Sequence, residues 1–454
     1  MTISLKALAQ LILANVETLE SACAKHGTDY PSLDDPFAPS ALNADPVAAN
    51  ASRVIVGAAA QLIATVRDPI EMLQDHCSSM YTAAAVGFVN SNDVADILQV
   101  SGPQGLHSKD LGKKIGVDAS LTDRVMRYLA TRHFFREVEP NIFANNKISS
   151  LILKNKSLSD IQADPASKYD LSPGAAMAGH FAEEAFMGSQ SIAQYLKDPG
   201  PYQSPFNMAI KDTTNIFAWF EQPDNVWRGR RFVTAMKGGG ERFPPEIFTS
   251  AIDWKALEPG STVVDVGGNV GSVTLPIAKS FPHLHYVVQD LEHVIPEAKE
   301  FWKANLPEAL SENRVELQVH DFFKPMSVEA DVYFLRLIVH DWPQAEGVKI
   351  LQNIRAAAKP SSKLILFEMI VPHACPETSP FTSRSALPPA PSPLLANMGI
   401  GLGGFVTMID LQMMTLLGGR ERTVEEFVEL GRDSGWKLEV VKPGPLAAFV
   451  YSPA

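Results

Sequence analysis

The stretch Thr262-Val-Val-Asp-Val-Gly-Gly-Asn-Val-Gly271 sets a short valine-rich run directly against a cluster of glycines. A β-branched run of this length favours a buried strand, and glycines at 267, 268 and 271 let the chain turn tightly and approach a ligand before a helix begins. Outward from it the pattern repeats. Tyr286–Gln289, Val315–Val319, Val332–Leu335 and Leu364–Phe367 read as strands separated by amphipathic stretches. Thr423 and Glu426 form a capping box for a helix reaching Ser434, and Lys437–Val441 and Ala447–Tyr451 supply two last strands. Such alternation specifies an α/β fold: a Rossmann-like, mostly parallel seven-stranded sheet with helices on both faces and ligands beyond the strands' carboxyl ends.

The glycine loop alone is a weak signal. A dinucleotide fingerprint wants glycine at 267, 269 and 272, and Asn269 and Ser272 occupy two of those places, which disfavours a nicotinamide cofactor. Asp290 ends the next strand and can accept both hydroxyls of a ribose. Asp321-Phe322-Phe323 ends the third, offering a carboxylate for an adenine amino group beside an aromatic face. Three consecutive strand ends thus describe a nucleoside without demanding a phosphate.

Composition narrows the partners. Among 454 residues, 39 basic against 51 acidic side chains give a net charge of -12, which repels phosphate backbones and anionic membranes, so nucleic acid is not expected. No continuous apolar run approaches the ~20 residues of a membrane span. Cys23, Cys77 and Cys375 lack paired spacing, and the N-terminus, with Glu17 and Glu20 close behind its short apolar stretch, does not read as a signal peptide. A reducing cytoplasm is the expected compartment.

Ahead of the α/β region, Leu5, Leu8, Ile12 and Leu19 fall on one stripe of a helix that needs a partner, within the subunit or across a dimer. Residues 28–47, with four prolines, read as a connector. Ser108 is placed to cap a helix through Ile115, Gly116–Asp118 turn, Leu121, Val125 and Leu129 line a second helix, and Phe134–Val138 with Ile142–Ala144 form a wing. This winged-helix pattern admits a DNA-binding reading through Arg124, Arg127 and Arg132. The expected division is a helical, winged-helix dimerisation domain over 1–170 and a catalytic domain over 171–454. Aromatic-rich helices over 171–258, carrying Phe181, Phe217, Trp219, Phe220 and Phe232, are expected to line an acceptor or to be plain core. A Pro/Ser-rich insertion at 372–404 reads as either disordered or functional, and its position directly after a strand's carboxyl end would let it overhang the site.

The stretch Leu335-Arg-Leu-Ile-Val-His-Asp-Trp342, with Leu364-Ile-Leu-Phe-Glu368, Gly418-Gly-Arg-Glu-Arg-Thr423 and the glycine loop, resembles the plant caffeic-acid-type and fungal O-methyltransferases of the class I methyltransferase fold. The resemblance covers residues 80–454 and is strongest from 261 to 436. It implies His340 as catalytic base, flanked by the acids Glu368 and Glu421. It further implies S-adenosylmethionine as donor and S-adenosylhomocysteine as product, held by Asp265, Gly267 and Gly268 in the loop, Asp290 and Leu291 at the ribose, Asp321 and Phe322 at the adenine, and Arg336 and Trp342 nearby. Relatives of this kind pair as homodimers. Asn269 stands where the family usually has glycine, and Arg336 where many relatives have lysine.

The chemistry is consistent with this. A sulfonium methyl is a strong electrophile, so the protein has mainly to deprotonate a hydroxyl and align it, and no metal is called for. A phenol of pKa about 10 can lose its proton to an imidazole, and an unperturbed imidazole, pKa about 6.5, predicts a rate that falls as pH drops through that value. Two rival functions share the sequence: a protein of this fold using the bound donor without methyl transfer, for a dehydration or pericyclic step, and a winged-helix, ligand-sensing regulator. The presence of His340, Glu368 and Glu421 argues against the first, and the net charge against the second.

Overall fold

A computed structural model describes residues 4–240, 243–376 and 390–454. Its packing divides the chain into two compact units, one of residues 1–242 with 391–394 and 398–401, the other of residues 243–390, 395–397 and 402–454.

In the first unit, the helix Leu5–His26 packs on the helix Pro46–Val66. Their junction is electrostatic. Asp45 caps the second helix, accepting from Val47 N (2.9 Å), and also accepts from His26 Nε2 (2.8 Å) and Lys25 Nζ (3.0 Å) at the end of the first. The His26 and Lys25 bonds hold the Asp45 carboxyl well below the usual range. Leu8 and Leu19 of the predicted stripe are buried, while Leu5 stays 48% exposed.

The helix Pro46–Val66 holds no continuous apolar run of the length a membrane span needs, yet among the described residues its 21 residues include an 18-residue window of mean hydropathy 1.4, enough by length and composition to cross a membrane. Asn50, Ser52, Arg53 and Gln61 interrupt the run without outweighing its alanines and valines. Only 28% of that window is buried, and Val47, Val56, Ile63 and Val66 are exposed. The segment at 398–401 seats on this helix backbone to backbone, since a Cβ on Gly57 would lie 2.6 Å from Met398 O and one on Gly401 2.2 Å from Arg53 O.

The winged helix is present, with helices Ser108–Ile115 and Ala119–Thr131 and strands β1 (Leu106–His107), β2 (Arg136–Glu139) and β3 (Ile142–Ala144) in the antiparallel order β1-β3-β2. Two details differ from the sequence reading. His107, whose Nδ1 accepts from Lys109 N at 3.1 Å, caps the first helix in place of Ser108. The second helix buries Thr122, Met126 and Leu129, spaced four and three apart, so Leu121 falls one residue off the stripe and is 51% exposed.

Residues 171–240, read with the catalytic region from sequence, pack instead within the first unit. Small residues allow it. A Cβ on Gly174 of the helix Pro173–His180 would lie 2.1 Å from Leu151 O, and one on Gly87 2.9 Å from Ala182 Cβ.

The second unit holds the seven-stranded sheet: β4 (Thr262–Val266), β5 (His285–Asp290), β6 (Val315–Val319), β7 (Val332–Arg336), β8 (Lys363–Glu368), β9 (Trp436–Lys442) and β10 (Ala447–Pro453). The order is β6-β5-β4-β7-β8-β10-β9, with β10 antiparallel to both neighbours and the first five strands parallel. Alternation along the strands divides the core. Val263, Phe334 and Ile365 face one layer with Ile277 and Trp302, and Val264, Tyr333 and Leu364 face the other with Leu351 and Phe427. Of the 372–404 insertion, residues 377–389 lie outside the described residues, and so does the expectation that they overhang the site.

The turn after β4 depends on Gly271, at φ +84°, where a Cβ would lie 2.6 Å from Nε1 of the fully buried Trp302. Gly271→Ala is therefore expected to cost about 2–4 kcal/mol through backbone strain and overpacking. Urea denaturation followed by circular dichroism measures it, and an unchanged midpoint would refute this reading of the turn.

Candidate active site

The carboxyl ends of β4, β5, β6, β7 and β8 bring most of the candidate residues into one region of the second unit. After β4, Gly267 adopts φ +69°, and a Cβ there would lie 2.9 Å from Ile338 Cδ1 and 3.5 Å from Phe322 Cε1, so glycine keeps this cradle open. Asn269 takes the left-handed conformation at φ 52°, which asparagine tolerates better than most residues. Asp290 ties the loop to β5, its Oδ2 accepting from Asn269 N (2.7 Å) and its Oδ1 from Leu291 N (2.7 Å). Each of its oxygens retains a lone pair for a further donor. Leu291 is half exposed beside it.

Asp265 stands apart from this open edge. Its carboxyl lies beneath Gly268, where a Cβ would come within 2.5 Å of Cγ, and its Oδ2 accepts from Thr274 Oγ1 at 2.6 Å. Burial raises it to about 7, against the Thr274 bond and the charge of Arg336. After β6, Asp321 Oδ1 accepts from Phe323 N (2.9 Å), and the rings of Phe322 and Phe323 pack edge-on against Trp342 with centroids 6.0 and 4.7 Å away. Arg336 ends β7, where burial works to lower it and the charges of Asp265 and Glu368 oppose that.

The chain leaves β7 through Leu337, a branched residue held at φ 52°. Such a conformation costs roughly 1–2 kcal/mol and persists only where surroundings over-determine it. They do so here. Glu368 Oε1, at the end of β8, accepts from Ile338 N (3.1 Å) and Val339 N (3.0 Å). Arg422, fully buried, donates to Val339 O (2.8 Å) and Trp342 O (3.4 Å), and Arg420 N donates to His340 O (2.8 Å). The second strand of this clamp needs Gly419, where a Cβ would lie 2.2 Å from His340 O.

His340 is thereby presented to three carboxylates. Its Nδ1 donates to Glu421 Oε1 at 2.7 Å, and its Nε2 lies 3.3 Å from Asp341 Oδ1. One nitrogen or oxygen from each of His340, Glu368 and Glu421 lies within 4.8 Å of the others. Glu421 is fixed in turn by Asp410, whose Oδ1 accepts from Glu421 N at 2.9 Å. Burial alone would push the ring down, but Asp341, Glu421 and Glu368 overcome it and raise His340 to about 10. The ring therefore lies above the value of about 6.5 that an unperturbed imidazole would have. Asp341 is raised to about 6 by burial against the attraction of His340, and Glu368 is raised by burial against His340 and Arg422. Because a carboxylate can only accept, Glu421 fixes a proton on Nδ1 and leaves Nε2 as the ring nitrogen without that bond.

The sequence reading named His340, Glu368 and Glu421 but assigned nothing to Asp341, Asp410, Thr274 or Arg422. Asp341 and Arg422 lay inside the quoted motifs, one residue from His340 and from Glu421, and only geometry shows what they touch. The first unit carries a separate cluster: His180 Nδ1 donates to Glu184 Oε2 (3.1 Å), and Arg231 holds Glu184 (2.7 Å) and Glu183 (2.8 Å). Around it the predicted aromatics pack on one another, with Phe232 at 5.2 Å from both His180 and Phe220.

Residues 245–387 match the O-methyltransferase domain family, and residues 74–155 match the O-methyltransferase dimerisation domain. An O-methyltransferase of Armillaria gallica is 38% identical over 96% of this chain and 95% of its own length. A 4-O-methyltransferase of Phanerochaete chrysosporium is 34% identical over 96% of this chain and 94% of its own. Among solved structures, that of LepI in complex with SAM covers 98% of this chain and 100% of its own, with a TM-score of 0.65 at 19% identity, a likeness of fold. The chain belongs to the O-methyltransferase family, and carries that family's dimerisation domain.

Asp265 supplies a test of the site's electrostatics that needs no ligand. A carboxyl at about 7 when folded, against 3.8 unfolded, binds its proton more tightly in the folded state. Its contribution to stability is full below 3.8 and is lost as pH rises towards 7. Asp265→Asn abolishes that loss, so the variant's stability relative to wild type is expected to climb by up to about 1.4 kcal/mol per pH unit across this window. Urea denaturation at successive pH values reads it, and parallel curves for the two proteins would show that Asp265 titrates normally.

Proposed function

We propose that the protein transfers the methyl group of S-adenosylmethionine to the hydroxyl of a small phenolic or aromatic acceptor, with His340 as general base. The observation that carries this reading is the 2.7 Å bond from His340 Nδ1 to the buried Glu421, with Glu368 beside it, which fixes the ring's tautomer and leaves Nε2 for the acceptor. A base held in this way typically contributes roughly 10²–10⁴-fold. Glu368 acts in two capacities: it holds the strained turn that carries the base, and its charge steadies the imidazolium.

The residues present suit the donor. Asp290 has acceptor capacity left for a ribose, Gly267 leaves room where a side chain would meet Ile338, and Asp321, Phe322 and Trp342 offer a carboxylate and ring edges for an adenine. When bound, the donor supplies an electrophilic sulfonium methyl, and no metal is needed to activate it. Asp265 supports the loop from beneath, and Arg336 brings a cation between Asp265 and Glu368.

Two further parts of the reading concern assembly. The uncovered apolar face of the helix Pro46–Val66 and the dimerisation domain support a homodimer. The unpaired cysteines suit a cytoplasmic protein. Arg127 and Arg132 of the winged helix are bonded to Asn141 and Asp75, which weighs against their serving a phosphate backbone.

His340→Gln is expected to retain folding and donor affinity, measured by calorimetry, while turnover on a phenol of pKa well above the assay pH falls at least ~10²-fold. Glu421→Gln is expected to lose less, since the base remains. A His340→Gln variant turning over near the wild-type rate would end the general-base reading. For the assembly, Ile63→Asp on the exposed face is expected to convert dimer to monomer in light scattering, and a wild-type protein that is monomeric at micromolar concentration would refute it.

A further inference from the structure

A base has to be unprotonated when its substrate arrives, yet the surroundings of His340 favour its protonated form. Both ring nitrogens face a carboxylate, Glu421 at Nδ1 (2.7 Å) and Asp341 at Nε2 (3.3 Å). With the ring doubly protonated, Nε2 carries a proton while Asp341 Oδ1 lies at ion-pair distance from it, and the lone pair needed for an acceptor hydroxyl is absent.

The two carboxylates are not equivalent. Glu421 is fully buried at its side chain, whereas Asp341 is 21% exposed, more than the 12% of His340 itself. Glu368, the third carboxylate facing the ring, is fully buried and spends one oxygen on Ile338 N and Val339 N. The other charged groups packed round the cluster are committed elsewhere: Arg422 to backbone carbonyls of residues 339 and 342, Arg420 to Glu426, and Asp410 to Glu421 N. Arg336 contributes charge through Glu368. Asp341 alone among these acids touches both the working nitrogen and solvent.

We propose that Asp341 is the proton acceptor that frees Nε2 of His340 before methyl transfer and passes the proton on to solvent. The inference rests on His340 being the base. Its steps balance. The Nε2 proton moves to Asp341, turning an imidazolium and a carboxylate into a neutral imidazole and a carboxylic acid. The acceptor hydroxyl then gives its proton to Nε2 as its oxygen takes the methyl group, and the donor sulfur keeps the electron pair of the broken bond. Asp341 releases its proton to water, so one proton leaves per turnover. Burial has already raised Asp341 to about 6, which brings it closer to the ring's affinity than an ordinary aspartate. Asp341 acts through His340 and is a positioning residue in that sense.

The signature is a pH profile. In the wild type, activity is expected to fall below about 6, where Asp341 is already protonated and can take no second proton. In Asp341→Asn that route is closed, so His340 has to lose its Nε2 proton to water unaided. The acid limb is then expected to move to higher pH, with turnover at pH 7 reduced at least ~10-fold and recovering towards pH 9. The probe is a phenol of pKa about 10 that the enzyme methylates, with His340→Gln run in parallel to subtract ionisation of the phenol itself. Histidine-ring NMR titration supplies a readout independent of turnover. Removing one carboxylate is expected to lower the ring's pKa from the wild-type value, and Asp341→Glu is expected to restore both the ring and the limb.

An Asp341→Asn profile with its acid limb unmoved, or lowered equally at every pH, overturns the proposal, as does an unshifted ring. Failure of the base itself looks different: His340→Gln then remains active at all pH values, whatever Asp341→Asn does.

Discussion

A charge buried in a protein has to be paired, and the catalytic unit is organised round one place where a single imidazole is paired several times over. His340 meets Glu421 and Asp341 directly, and Glu368 stands within reach of both ring and loop. These groups come from distant stretches of chain. The parallel strands β7 and β8 set Arg336 beside Phe367, one residue from Glu368, and the bridge between Ile370 and Arg422 brings the 418–422 segment alongside. Together these contacts tie the sheet's carboxyl edge to the 418–422 segment.

The same groups hold the backbone. Leu337 at φ 52° stores strain at the mouth of the loop, and Glu368 repays it with two N–H bonds to the residues that follow. Arg422 then holds the carbonyls on either side of His340. A carboxylate whose task is electrostatic and one whose task is structural would usually be separate residues. On the proposed mechanism they coincide in Glu368, so no substitution there can report on one role without disturbing the other.

Much of this was legible in the chain itself. The strands are short and rich in valine, isoleucine and leucine, with glycines or charged residues at their ends, so β4 and β6 coincide with their expected limits and the other five differ by at most two residues at either end. Thr423 and Glu426 announce their capping box because the two side chains are three residues apart and need nothing else. Where tertiary packing decides, sequence was silent or misled. Ser108 is a better cap by type than His107, yet the turn begins one residue earlier. The helices over 171–240 are aromatic enough to suit either unit, and the close backbone approaches at glycines 87 and 174 are what seat them against the preceding segments. Arg422 reads as one more basic residue until its guanidinium is seen among carbonyls.

The charge on the cluster also bears on why such a site suits a sulfonium donor. On the proposed mechanism, transfer to a hydroxyl consumes one positive charge at sulfur and creates another at the imidazole, so within the site the charge moves and does not appear or vanish. Carboxylates at Asp290, Glu368 and Glu421 therefore face a cation at the start of the step and at its end. An environment that stabilised only the first would deepen the ground state and slow the reaction, and one that stabilised only the second would bind the donor poorly. With the acids ranged along the edges of β5 and β8 and on the segment beside them, the field follows the charge from one location to the other. On that proposal the cost falls on the resting enzyme, whose base is held protonated by the same acids that later stabilise it, and the solvent-touching aspartate beside His340 is the group proposed to relieve it.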